Sequence, residues 1–262
     1  MKKQQSKLLV GNWKMHGRLA SNAVLLHTLV QRAATLGPQV QLAVCVPYPY
    51  LAQAQTSLEN TPIDYGVQDV SAYMHGAYTG EVSAPMVAEF GATLAIVGHS
   101  ERRIFHSESS ELVAVKAQRA LEAGITPIIC VGETLDERRA GQTDNVVYTQ
   151  LSAVLNVLEK ADVARLIIAY EPFWAIGTGR IPTAQQMQKV YTVIRTQLMA
   201  EVNVHVPLLY GGSLKPSNAQ ELFSQSEIDG ALIGAASLSA IDFLAIAKAA
   251  STVLSENLDY FK

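Results

Sequence analysis

Four polar residues have side chains whose chemistries would combine: Asn12, Lys14, His99 and Glu171. A carboxylate can take a proton from carbon, an imidazole can donate to a carbonyl oxygen, and an ammonium can neutralise an anion. Glu171 closes the apolar run Leu166–Tyr170 and precedes Pro172, Phe173, Trp174 and Ile176. Apolar neighbours that exclude water raise a carboxyl pKa towards the range useful to a general base. The competing reading is a structural glutamate in an ion pair. His99, after Gly98 in "AIVGHSERR", either polarises a carbonyl or is a satisfied rim histidine. Lys14 reads equally as an anion-neutralising group or an ordinary rim lysine, and Asn12 alone reads as a turn residue. Ser100 and Glu101, directly behind His99, are expected to support these groups, Glu101 by pairing with Lys14.

The stretch "AYEPFWAIGTGR" (169–180) has the makeup of a lid. Pro172 stiffens one end, Gly177 and Gly179 loosen the other, and Trp174, Ile176 and Thr178 form the body between them. A lid keeps water from a reactive intermediate. Gly211-Gly212-Ser213 and Gly234 offer backbone N–H groups of the kind that hold phosphate. Other chemistries lack their signatures: there is no GxSxG nucleophile elbow and no metal-ligand spacing. Trp13 and Trp174 lie outside basic stripes, which argues against a nucleic-acid stacking platform. Asp136-Glu137-Arg138-Arg139 reads as a solvated helix face.

These residues need a frame that brings them together. Short β-branched or Leu-rich runs recur at Leu8–Trp13, Gln41–Val46, Ile63–Val67, Leu94–Val97, Thr126–Val131, Leu166–Tyr170, Val206–Tyr210 and Ala231–Ile233. Continuous apolar runs of this length fit strands buried on both faces. Helical periodicity fills the intervals. One helix spans Ser109–Ala123 and stops at Gly124; another begins at Thr183, where Thr183-Ala-Gln-Gln186 has capping-box spacing. Eight such units predict an α/β chain folded as a (β/α)8 barrel, one domain over residues 1–262. A doubly wound open sheet would need a glycine fingerprint after the first strand, where Gly11-Asn12-Trp13-Lys14 stands instead. In a parallel barrel the carboxyl ends of the strands share one face, and all the candidate residues fall at those ends.

Composition narrows the class further. A net charge of −3 argues against broad nucleic-acid binding, and 49% hydrophobic residues suffice for a large core. Cys45 and Cys130 each sit in an apolar run and read as small core residues, with no disulfide framework. The basic N-terminus precedes an apolar run too short for a signal peptide, and no run would span a membrane, so a cytoplasmic setting is expected.

The motifs "GNWKM" (11–15), "VQDVSA" (67–72), "GAYTGE" (76–81), "VGHSERR" (97–103), "CVGETL" (130–135), "AYEPFWAIGTGR" (169–180) and "YGGS" (210–213) occur in one order along nearly the whole chain. In this the sequence resembles the triosephosphate isomerase family, which implies a TIM barrel and the interconversion of dihydroxyacetone phosphate and D-glyceraldehyde 3-phosphate. The pairing of a glutamate base with a neutral histidine is well-known chemistry of that family. By motif match, Glu171 would move the proton, His99 would act as a neutral imidazole on the carbonyl and enediolate oxygens, and Lys14 and Asn12 would stabilise the oxyanion. The phosphate of a triose substrate would rest on backbone N–H groups of Gly177, Ser213, Gly234 and Ala235. No metal or organic cofactor is implied, because the carbonyl already acidifies the adjacent C–H. The resemblance also implies a homodimer, with Met15 and the loop Gln68–Glu81 at the interface and Thr79 reaching the other subunit's site. Departures from the family pattern are Phe173 for Val, Arg180 for Lys, Ala235 for Gly, His16 for Asn, and Tyr73-Met74-His75 in the dimer loop. Ala235 keeps its N–H donor and is expected to be tolerated if its φ is negative.

Overall fold

The apolar runs form strands β1 (Lys7–Asn12), β2 (Val40–Val46), β3 (Ile63–Val67), β4 (Leu94–Val97), β5 (Thr126–Val131), β6 (Ile167–Tyr170), β7 (Leu208–Tyr210) and β8 (Gly230–Ile233). They come from a computed structural model that describes residues 6–259 except Gly179 and Ser226, with side chains as far as Leu254. Each strand pairs in parallel with the next, and β8 returns to β1, closing an eight-stranded barrel. The helices Leu19–Ala33, Leu51–Leu58, Ala84–Ala88, Ser110–Glu122, Thr143–Leu155, Ala184–Glu201, Pro216–Phe223 and Ala240–Asp259 follow the successive strands. This is the (β/α)8 architecture that the strand–helix alternation predicts.

Side-chain alternation explains why the strands read as unbroken apolar runs. Val10, Ala43, Cys45, Ile96, Ile128, Cys130, Ala169 and Leu209 form one buried cluster inside the barrel. Their neighbours Leu9, Leu42, Val44, Val97, Ile129, Ile168 and Tyr170 belong to a second cluster shared with the helices. A two-residue period sends alternate side chains to these two layers, and neither layer tolerates a polar group. Burying each large aliphatic side chain contributes about 1.5–3 kcal/mol. Both cysteines are buried and unbridged, as their apolar settings predict.

The helix signals hold in detail. Ser109 Oγ accepts the Leu112 N–H at 3.2 Å and caps Ser110–Glu122. Thr183 and Gln186 exchange both bonds of a capping box at the start of Ala184–Glu201. Strand ends shift by one or two residues. The seventh strand starts at Leu208 and not Val206, because Pro207 has no N–H to give a ladder and serves only as acceptor for Ile168 N–H. The eighth gains Gly230, which lies so close to β1 that a Cβ there would sit 1.8 Å from the Leu8 carbonyl oxygen. Among the described residues no helix is long and apolar enough to cross a membrane.

Candidate active site

Strand phase places the site. Glu171 follows β6 and keeps the inward phase of Ile167 and Ala169, while Asn12 at the end of β1 keeps that of Val10. Both therefore face the mouth of the barrel at the carboxyl ends of the strands. A cavity of about 780 Å³ opens there. Asn12, Lys14, His99, Glu171, Ile176, Gly177, Ser213, Gly234 and Ala235 all line it. Residues from β1, β4, β6, β7 and β8, up to 223 positions apart in the chain, thus meet in one space.

Glu171 is 1% exposed and has both carboxylate oxygens engaged. Ser100 N–H donates to Oε2 at 2.9 Å, and His99 Nε2 lies 3.0 Å from Oε1. His99 is the N-cap of the short helix Ser100–Phe105, and its Nδ1 accepts the Glu101 N–H at 3.2 Å. With Nδ1 occupied as an acceptor, the ring proton belongs on Nε2, aimed at Glu171 and the cavity. Lys14 has a left-handed backbone, φ +52°, at a cost of about 1–3 kcal/mol. The Lys14 N–H donates to Asn12 Oδ1 at 3.0 Å, which helps hold that conformation. Its Nζ donates to Glu101 Oε1 at 2.5 Å. Asn12 is thus both a turn-stabilising residue and a buried residue at the cavity wall.

The expectation for Glu171's pKa needs correcting. Burial pushes the carboxyl up, but the attraction of His99, the hydrogen bonds from His99 and Ser100, and the charge of Lys14 together outweigh it. The net displacement from the ordinary value of 4.5 is downward. Apolar neighbours alone suggest the opposite sign, because the opposing partners come from other strands.

The lid candidate leaves β6 through Pro172 into a short 3-10 turn, Phe173–Ala175. Ser213 Oγ donates to Ala175 O at 2.6 Å, tying the β7 loop to the lid. Gly177 is left-handed, φ +69°, and exposed; Thr178 Oγ1 donates to Trp174 O at 3.1 Å. Gly179 lies outside the described residues. The Ala235 condition is met: its φ is not among the positive ones, and the residue opens the 3-10 turn Ala235–Leu238. Met15 and Thr79 do not line the cavity; both are exposed, Met15 almost fully.

Several supporting groups escaped sequence reasoning. Glu133, wholly buried, accepts from Tyr170 Oη at 3.1 Å, Trp174 Nε1 at 2.9 Å and Arg138 Nη1 at 3.0 Å. Arg138 also stacks over the Trp174 ring at 4.4 Å. The solvated-face reading of 136–139 is therefore wrong for Arg138, though right for Asp136 and Arg139, whose side chains are 94% and 71% exposed. Charge spacing along one helix cannot reveal a buried carboxylate on the loop before it. Arg103 donates to the carbonyls of Gly98 and Cys130, bracing the chain on either side of the site. Gly211 lies directly against Glu171, where a Cβ would meet Cγ at 2.7 Å.

Comparison with known proteins gives a consistent picture. A family model described as Triosephosphate isomerase matches residues 7–250. A protein named "Triosephosphate isomerase" from Cupriavidus necator is 54% identical over 248 residues, covering 94% of this chain and all of that protein. One of the same name from Ralstonia nicotianae is 54% identical over 246 residues, covering 93% of this chain and 98% of its own. Another from Bordetella pertussis is 53% identical over 245 residues, covering 94% and 98%.

Proposed function

Given that the chain belongs to the triosephosphate isomerase family and interconverts dihydroxyacetone phosphate and D-glyceraldehyde 3-phosphate, we propose that Glu171 is the base that moves the proton. Its carboxylate takes a proton from carbon 1 of the ketose, the electrons pass to the carbonyl oxygen, and the enediolate is reprotonated at carbon 2. His99 gives its Nε2 proton to the oxygen on carbon 2 and takes one back from the hydroxyl on carbon 1, which becomes the aldehyde oxygen. Lys14 and Asn12 stabilise the negative oxygen. The phosphate rests on the N–H groups of Gly177, Ser213, Gly234 and Ala235, and the segment Pro172–Thr178 closes over it.

One observation carries this reading: Glu171 Oε1 and His99 Nε2 stand 3.0 Å apart on the wall of the cavity that Lys14 also lines. A substrate oxygen that takes over the Nε2–H bond frees the carboxylate to face the adjacent carbon. Ser100 and Glu101 serve by holding Glu171 and Lys14. A barrel that merely binds phosphate has no need of this carboxylate–imidazole pair.

The test is a coupled assay with D-glyceraldehyde 3-phosphate on the wild type and Glu171→Asp. Shortening the side chain withdraws the carboxylate by about 1 Å, and turnover should fall roughly 100-fold or more while the fold persists. A near-wild-type rate for Glu171→Asp would overturn the base assignment.

The proposal extends to a homodimer. The exposed Met15, Met86, Tyr73 and Tyr78 support it, the last two stacked at 3.7 Å on the loop that holds Thr79. In the dimer Thr79 lies beside Asn12 and Lys14 of the other subunit. Sedimentation at micromolar concentration should give twice the chain mass.

A further inference from the structure

The position of Glu171 depends on a peptide that no cavity-lining side chain holds. Gly132 follows β5 and is buried. Gly132 leaves no space between itself and Glu171: a Cβ there would lie 1.7 Å from the Glu171 carbonyl oxygen. Its neighbours continue the contact. Glu171 N–H donates to Val131 O at 2.8 Å, and Phe173 N–H donates to Glu133 O at 3.1 Å. The β5–β6 register ends at Val131 and Tyr170, so beyond the barrel residues 131–133 are the bed on which Glu171 and the start of the lid segment lie.

Gln150 holds that bed. It stands on the helix Thr143–Leu155, outside the cavity lining. Gly132 N–H donates to Gln150 Oε1 at 2.8 Å, and Gln150 Nε2 donates to Gly132 O at 2.9 Å. An amide that meets a peptide in both directions fixes its height and its rotation together. Glutamine has both a donor and an acceptor at this reach; an ionised glutamate only accepts, and leucine does neither. Without it, two buried backbone groups of Gly132 lose their partners, and the segment must shift to regain them.

We propose that Gln150 is a positioning residue for the isomerisation, acting through Gly132 to set where the Glu171 carboxylate stands. The inference rests on the reading of Glu171 as the base. Three of the four proposed phosphate-binding N–H groups, those of Ser213, Gly234 and Ala235, lie on other loops after β7 and β8, so the displacement falls mainly on turnover and not on substrate capture.

The experiment compares wild type, Gln150→Leu, Gln150→Glu and Glu171→Asp in the coupled assay, with thermal melts and phosphoglycolate binding as controls. Displacements of a fraction of an ångström predict a kcat loss of about 10- to 100-fold in Gln150→Leu, with KM and inhibitor affinity within about twofold. In Gln150→Glu the protonated carboxyl restores both bonds and the ionised one cannot. Its kcat relative to wild type should therefore rise as pH is lowered from about 9 to about 6. A merely structural role would leave that ratio flat. Folded Gln150→Leu with kcat within about twofold of wild type overturns the proposal, as does a flat ratio in Gln150→Glu. If Gln150→Leu fails to fold, the Gln150→Glu ratio decides alone. Near-wild-type turnover in Glu171→Asp overturns the base reading and this inference with it. A collapse there beside unchanged Gln150→Leu turnover overturns only the inference.

Discussion

Replacing Gly211 by alanine should damage turnover without touching a catalytic group. The added Cβ would stand 2.7 Å from Glu171 Cγ, 3.2 Å from Tyr170 O and 3.5 Å from Glu171 Oε1. Carbon atoms rest about 3.5–4.0 Å apart, so the Glu171 side chain must retreat by roughly 1 Å. It cannot swing freely, because Oε1 and Oε2 are engaged by His99 and Ser100. The Tyr170 carbonyl, accepting from the Gly211 N–H at 2.8 Å, blocks escape on the backbone side. A misplacement of about 1 Å in a reacting group costs on the order of 100-fold in rate. That corresponds to about 2.7 kcal/mol of transition-state stabilisation. Gly211 φ is not among the positive values, so alanine brings no backbone strain there and the fold should persist. The measurement is kcat and KM for D-glyceraldehyde 3-phosphate, beside a thermal melt. We expect kcat to fall about 100-fold with KM changed less than about threefold. A folded variant with wild-type kcat would refute the claim that close backbone packing sets the carboxylate position.

Three further outcomes follow from the same geometry. Arg138→Met strands the buried Glu133 charge, at a cost of about 3–5 kcal/mol, so the melting temperature should drop by roughly 10 °C; an unchanged melt would show that Glu133 is held by Tyr170 and Trp174 alone. Because the folded-state pKa of Glu171 is depressed, its contribution to stability is present above pH 4.5 and lost as pH falls through the folded midpoint. Carboxyl NMR of the ligand-free protein should place that midpoint below 4.5, and His99→Gln should raise it; an unmoved midpoint would remove His99 as a cause. Ala235→Gly should leave kcat/KM within about twofold and destabilise by about 0.5–1 kcal/mol, as measured by urea unfolding, since alanine already fits its backbone. Higher activity in the glycine variant would mean that the methyl group obstructs the phosphate.

The barrel was largely legible from local pattern. Both strand layers are apolar, so every strand announced itself as a short run, and three of them, Ile63–Val67, Leu94–Val97 and Thr126–Val131, keep their predicted bounds. Two of the shifted ends came where a backbone group and not a side chain decided. Pro207 trimmed the seventh strand because it lacks an N–H, and Gly230 extended the eighth because only a residue without a Cβ fits beside Leu8. Asn12, Lys14, His99 and Glu171 were visible because each polar residue interrupts an apolar run at a strand end. The groups that hold them were not. Gln150 and Arg138 look like any polar residues on an amphipathic helix until the helix docks.

What the sequence determined by itself was the alternation of strands and helices, the strand ends at which polar residues stand, and the motif order that marks the family. What only the tertiary structure decided was electrostatic and steric. The direction of the Glu171 pKa shift depends on His99, Ser100 and Lys14, which reach it from other strands and outweigh its burial. The seat of that carboxylate depends on Gly132 and Gly211, which follow the strands on either side of it. Contact effects vanish within a few ångströms and Coulombic ones weaken with distance, and close distances between residues far apart in the chain exist only once the barrel has closed.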